Sequence, residues 1–182
     1  AIYMYSDSDN GDTGYQRIYI GDIATFTGNT ADYDGGAIYM SSDADNGDTG
    51  DQRIVIGGSA TFTGNTAGGD GGAIFMYSEG SVDTGYQRIG IEGSATFEDN
   101  IAGDAGGAIY MQSDAYYGNT GNQSIYINGD ATFEGNEAGD NGGAIYMYSD
   151  SDNGDTGYQR IDIGGDATFI GNTAGSDGGA IY

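Results

Sequence analysis

A period of about 36 residues runs through the whole chain, and few folds can accommodate it. The string Ala-Ile-Tyr-Met begins at Ala1 and returns at Ala37, Ala73 (with Phe75 for Tyr), Ala108 and Ala144, and a truncated copy begins at Ala180. Gln-Arg-Ile-x-Ile starts at Gln16, Gln52, Gln87 and Gln159, with Gln123-Ser124-Ile125 as the variant. Ala-Thr-Phe-x-x-Asn starts at Ala24, Ala60, Ala95, Ala131 and Ala167. Residues 1–182 therefore read as one repetitive segment, with units from 1, 37, 73, 108 and 144 and a partial unit from 180. Self-similarity at this period signals a solenoid, in which each unit is too small to bury its own core and must stack on its neighbours.

Each unit holds three short segments with period-2 alternation, separated by Gly, Asp, Asn and Ser. Ile2 and Met4 share one face, with Ala1, Tyr3 and Tyr5 on the other. Gln16, Ile18 and Ile20 oppose Tyr15, Arg17 and Tyr19, and Ala24 and Phe26 oppose Thr25 and Thr27. No segment carries a helical period, and 37 glycines would weaken any helix. The expectation is an all-β parallel β-helix, or β-solenoid, of five coils with three strands per coil, like strands pairing in parallel. Stacking in register puts Phe26, Phe62, Phe97, Phe133 and Phe169 in one interior column. It puts Asn29, Asn65, Asn100, Asn136 and Asn172 in an amide ladder. The Gly-Gly pairs from Gly35-Gly36 to Gly178-Gly179 fall where the chain must bend sharply.

Phe26-Thr27-Gly28-Asn29 followed by Gly35-Gly36-Ala37-Ile38, and its recurrence through Phe169 to Ile181, resembles the repeat of polymorphic outer-membrane proteins. The resemblance covers the whole chain. It implies a right-handed β-helix, of the kind found in passenger domains of surface-exposed autotransporter adhesins, and it implies surface adhesion.

Charge narrows the partners. With 28 acidic residues against 4 Arg the net charge is −24, which excludes nucleic acid as a natural partner and disfavours an anionic membrane. No run of about 18 apolar residues occurs, so no membrane insertion by this segment is expected. Without Cys or His, zinc and iron–sulfur sites lose their usual ligands.

Three features are candidates for chemistry. The connection after the first strand reads Asp7-Ser8-Asp9-Asn10-Gly11-Asp12, then Asp43-Ala44-Asp45-Asn46-Gly47-Asp48, and again Asp150-Ser151-Asp152-Asn153-Gly154-Asp155. Alternate carboxylates before a glycine turn can converge on a hard cation, so Asp7, Asp9, Asp12, Asp43, Asp45, Asp48, Asp150, Asp152 and Asp155 are candidate calcium ligands. The same composition also suits a solvated turn. Outward aromatic columns come second: Tyr3, Tyr39, Phe75, Tyr110, Tyr146 and Tyr182 in one, and Tyr15, Tyr86 and Tyr158 alternating with Asp51 and Asn122 in another. Such columns suit sugar rings or a second protomer, or simply stiffen the sheet. Third, Arg17, Arg53, Arg88 and Arg160 share one outward column, where neighbouring carboxylates are expected to hold them. Polysaccharide-cleaving β-helix enzymes combine Arg with Asp clusters, but near-copies of one loop do not make an irregular catalytic constellation, and no catalytic residue is assigned.

The resulting expectation is a structural and adhesive extracellular or cell-surface protein, part of a filament or stalk, with calcium as cofactor and copies of itself as partner. A calcium-dependent carbohydrate-binding adhesin is the alternative, with glycans as partners. Residues 144–161 duplicate residues 1–18, so the coils are expected to continue, either covalently or through chains stacked head to tail.

Overall fold

The computed structural model describes residues 2–182. Ala1, which the alternation places beside Tyr3, lies outside the described residues. The chain winds through about five turns of a parallel β-solenoid, and no helix occurs among the described residues. The first sheet stacks Ile2–Ser8, Ile38–Ala44, Ile74–Gly80, Ile109–Ala115 and Ile145–Ser151. The second runs from Gln16–Ile20 to Gln159–Ile163 and the third from Ala24–Thr27 to Ala167–Ile170. Pairing is parallel and like over like: Ile2 opposes Ile38, Gln16 opposes Gln52, and Phe26 opposes Phe62.

A fourth sheet, from Thr30–Ala31 to Thr173–Ala174, corrects the expectation of three strands per coil. Its strands are two residues long, too short to display alternation. Only the hydrogen bonds to adjacent coils, such as Thr66 N–H to the Asn29 carbonyl (2.8 Å), make them strands.

The alternation correctly assigns the interior. Ile38, Met40, Ile54, Ile56 and Phe62 are fully buried, and the phenylalanine rings lie parallel with centroids 4.8–4.9 Å apart. One detail differs. Ala37, Ala73, Ala108 and Ala144 fall on the tyrosine side by parity, yet they are buried. They sit in the corner after the glycine pair, before the strand begins, where strand parity does not apply.

The two halves of the recurring motif have separable mechanical roles. The first glycine of each pair has positive φ, as at Gly35 (67°) and Gly106 (67°). The second is a site of close approach: a Cβ on Gly36 would stand 2.1 Å from the carbonyl oxygen of Gly72 in the next coil. After each phenylalanine the chain turns again at positive φ, at Gly28, Gly64, Gly135 and Gly171, with Asp99 in the third unit. The asparagine that follows closes the corner. Asn100 Nδ2 donates to the Phe62 carbonyl (3.0 Å) and to Asn136 Oδ1 (2.9 Å), while its Oδ1 accepts from the Asn65 backbone N–H (3.1 Å) and from Asn65 Nδ2 (2.9 Å). Asn65, Asn100 and Asn136 thereby link adjacent coils through groups that water cannot reach.

Candidate functional site

Beneath the surface features lie two further polar ladders that sequence reasoning passed over. Gln16, Gln52, Gln87 and Gln123 are buried beside the isoleucines of the second sheet. Gln87 Nε2 donates to Gln52 Oε1 (3.1 Å) and to the Gln112 carbonyl (2.8 Å), which ties the second sheet to the first. Thr49 and Thr84 meet Ser78 and Ser113 hydroxyl to hydroxyl at 2.5 Å. The signal was present, since the inward phase of Gln and Ser at every coil required partners.

The candidate calcium ligands separate into three sets. Asp7, Asp43 and Asp150 belong to an outward column of the first sheet, in register with Glu79 and Asp114. Asp12 and Asp48 instead secure the loop to the coil beyond: Asp12 Oδ1 accepts from the Asp48 N–H (2.9 Å) and Asp48 Oδ1 from the Asp83 N–H (3.0 Å). Asp155 continues this ladder by donating its N–H to Asn119 Oδ1 (2.9 Å). Asp9, Asp45 and Asp152 are exposed in the loop, where the Asp45 N–H donates to the Ser8 carbonyl (3.0 Å) and the Asp152 N–H to the Ala115 carbonyl (3.1 Å). Among the described residues no three acidic groups gather closely enough to form a ready metal cage. The connection is thus stacked coil on coil rather than projecting as a free loop.

Two carboxylates of the first-sheet column, Asp43 and Asp114, hold protons more tightly than usual. Asp43 is raised by burial first and then by Glu79, Asp45 and Asp7; Asp114 is raised by burial, with Glu79 and Asp150 adding to it. Asp70, at the corner near the fourth sheet, is pushed from 3.8 to about 6 by burial and by Asp34, Asp104 and Asp140, against the opposing hydrogen bond from the Ala105 N–H. A raised folded-state value means that protonation favours the fold. This stability is fully present below about 3.8 and is lost as pH rises through about 6. Asp70→Asn keeps the Oδ1 acceptor, as Asn141 already does for the Asp177 N–H in a later coil. We expect it to stabilise the protein at pH 7.5 by about 1–2 kcal/mol after allowance for solvent screening. Thermal melts should show the variant gaining less than the parent on acidification to pH 5.

The first aromatic column is less exposed than the sequence suggested. Its rings stack at 4.6–5.1 Å, but Phe75 and Tyr110 are only 6% and 7% exposed, packed with Ala105 into a small second core. Stiffening accounts for the middle of this column. Tyr15, Tyr86 and Tyr158 of the other column are exposed, at 82%, 57% and 62%.

The arginine expectation is overturned for most of the column. Arg160 alone pairs with a carboxylate among the described residues, Nε to Asp162 at 2.7 Å. Arg17 lies over the Tyr19 ring, 5.3 Å from its centroid. The partner in both cases is the residue two positions on, which shares the outer face of the strand. At Arg53 and Arg88 that position holds Val55 and Gly90, which offer no acceptor.

The stretch from the phenylalanine column through the asparagine ladder and glycine pair into the next first-sheet strand has a counterpart among known proteins. The Chlamydia polymorphic membrane protein repeat matches it five times, at residues 24–41, 59–76, 94–112, 130–148 and 166–182. The chain belongs to this repeat family. No match was found among curated proteins or solved structures. The polymorphic membrane protein family consists of outer-membrane and surface proteins, and the repeats mark a surface-exposed repeat protein of structural, adhesin type.

Proposed function

We propose that this polymorphic membrane protein segment is an adhesive rod, part of an extracellular stalk or filament, stabilised by calcium and able to stack on copies of itself. The observation that supports the rod is the unbroken parallel pairing of all four sheets, with Ile stacked on Ile, Gln on Gln and Phe on Phe along the inward columns. A coil that fits its neighbour also fits a copy of that neighbour, so the coil-to-coil surface is complementary to another chain. The calcium reading is supported by the outward carboxylate column from Asp7 to Asp150, about 5 Å per step in a chain of net charge −24. Hard oxygen donors suit calcium, and Asp7, Asp43 and Asp150, with Glu79 and Asp114 between, are the residues that would hold it between coils.

One preparation tests both parts. Millimolar calcium should raise the melting temperature by more than NaCl of matched ionic strength. Equal effects would show screening alone and remove calcium from the reading. Electron micrographs of the same material should show rods longer than the roughly 24 Å that five coils span. Particles of one fixed short length would eliminate the filament and leave the stalk.

A further inference from the structure

On the outer face of the second sheet, Arg53 and Arg88, neither paired with a carboxylate among the described residues, line a cleft of about 350 Å³. Arg53 and Arg88 are register partners on adjacent coils, so their backbones lie about 4.8 Å apart. Two like charges held this close, in a chain with only four cations, leave a local demand for an anion that the protein does not meet. The column then breaks. Arg88 pairs with Ser124, whose short side chain opens space above the guanidinium and adds a hydroxyl. The neighbouring column makes the walls. Tyr86 and Tyr158 stand two strand spacings apart, roughly 9–10 Å, with the smaller Asn122 between them. Contact on both faces of an intervening ring needs about 8 Å between the walls, so one flat ring fits. The Tyr158 N–H donates to Asn122 Oδ1 (3.0 Å), which leaves the Asn122 amide nitrogen as a further donor. The one carboxylate at the rim, Asp51, has its Oδ1 engaged by the Tyr86 N–H (2.9 Å).

We propose that this cleft binds an acidic sugar residue, with its ring between Tyr86 and Tyr158 and its carboxylate or sulfate on Arg53 and Arg88. Planar guanidinium forks suit such oxyanions, and tyrosine faces suit the C–H surface of a sugar ring. The volume is at the small end for ligand sites and matches one or two sugar units. At physiological ionic strength the Debye length is about 8 Å, so acidic columns on other faces of the rod are largely screened from the site. The proposal goes beyond the rod reading and does not depend on it, because a bare rod without this site would still be a rod.

Isothermal titration of the whole protein with three matched oligosaccharides tests the idea: one ending in glucuronate, one in a sulfated sugar and one in neutral glucose. Either acidic oligosaccharide should bind, the arm that binds identifying the anion, and the neutral one should bind at least about tenfold more weakly. Arg88→Ser, which copies the residue already present at Ser124, should weaken the acidic ligand by about tenfold or more without moving the melting temperature. Tyr86→Asn, which copies Asn122, should weaken it as well. Absence of acidic binding, equal binding of the neutral sugar, or binding that survives Arg53→Ser with Arg88→Ser would overturn the proposal.

Discussion

Phe97→Ala should destabilise the stack by about 3–5 kcal/mol, a large share of the 5–15 kcal/mol typical of a folded domain. Phe97 is fully buried at mid-stack, with its ring centroid 4.8 Å from both Phe62 and Phe133. Truncation removes the transfer energy of the ring and leaves a void whose walls are ladder-bonded strands. Those strands cannot collapse inward without shifting register against both neighbours. Thr96, one residue earlier, points the other way and is half-buried, so Thr96→Ala should cost under about 1 kcal/mol. Denaturant melts of the two variants supply the comparison. Equal losses at both positions would contradict the inward phase of the third sheet.

Gly107→Ala should be comparably damaging, at about 3 kcal/mol, the upper end of overpacking. The added Cβ would meet the Gly143 carbonyl oxygen at 2.1 Å and the Glu137 carbonyl oxygen at 2.7 Å, all backbone of the following coil. No rotamer change relieves a backbone contact. The coils would have to part by about 1.2–1.5 Å, given the usual approach of about 3.3–3.6 Å between carbon and oxygen. Separation stretches the Gly107 N–H to Gly142 carbonyl bond (3.1 Å) and the Ala108 N–H to Ala144 carbonyl bond (2.9 Å) on either side of the glycine. Gly14 is the control: nothing lies within 4 Å of a Cβ built there, and Gly14→Ala should change stability by under about 0.5 kcal/mol. A melting temperature for Gly107→Ala equal to that of Gly14→Ala would show that the coils are less tightly coupled than this geometry requires.

Together these substitutions explain the recurring motif in mechanical terms. The phenylalanine fills the coil, the asparagine satisfies the corner, the first glycine turns the chain and the second lets the next coil approach. Each role is defined by a neighbouring coil. That explains why the motif occurs in tandem and why the family assignment and the fold coincide.

Much of this architecture was legible from the residues. The period set the number of coils, the alternation of Ile, Met and Phe against Tyr and Thr set the inward faces, and identical strings at fixed spacing set the register. These properties are local or periodic, so order along the chain is enough to express them. The candidate sites were less legible, because they depend on distances between side chains on different coils. Sequence proximity grouped Asp7, Asp9 and Asp12, whereas the stack separates them: Asp7 joins a column with Asp43, and Asp12 caps the Asp48 backbone. The exposed tyrosine column became a covered one at Phe75 and Tyr110 because the adjacent corner folds over it. Arg53 and Arg88 lost their expected carboxylates because Val55 and Gly90 occupy the positions where Tyr19 and Asp162 serve Arg17 and Arg160. The sequence alone thus determined which residues face inward and how coils align, since both follow from periodicity. Only the tertiary structure decided which surface groups meet, because that depends on the distances at which neighbouring coils and corners set side chains lying far apart in the chain, about 5 Å from one coil to the next.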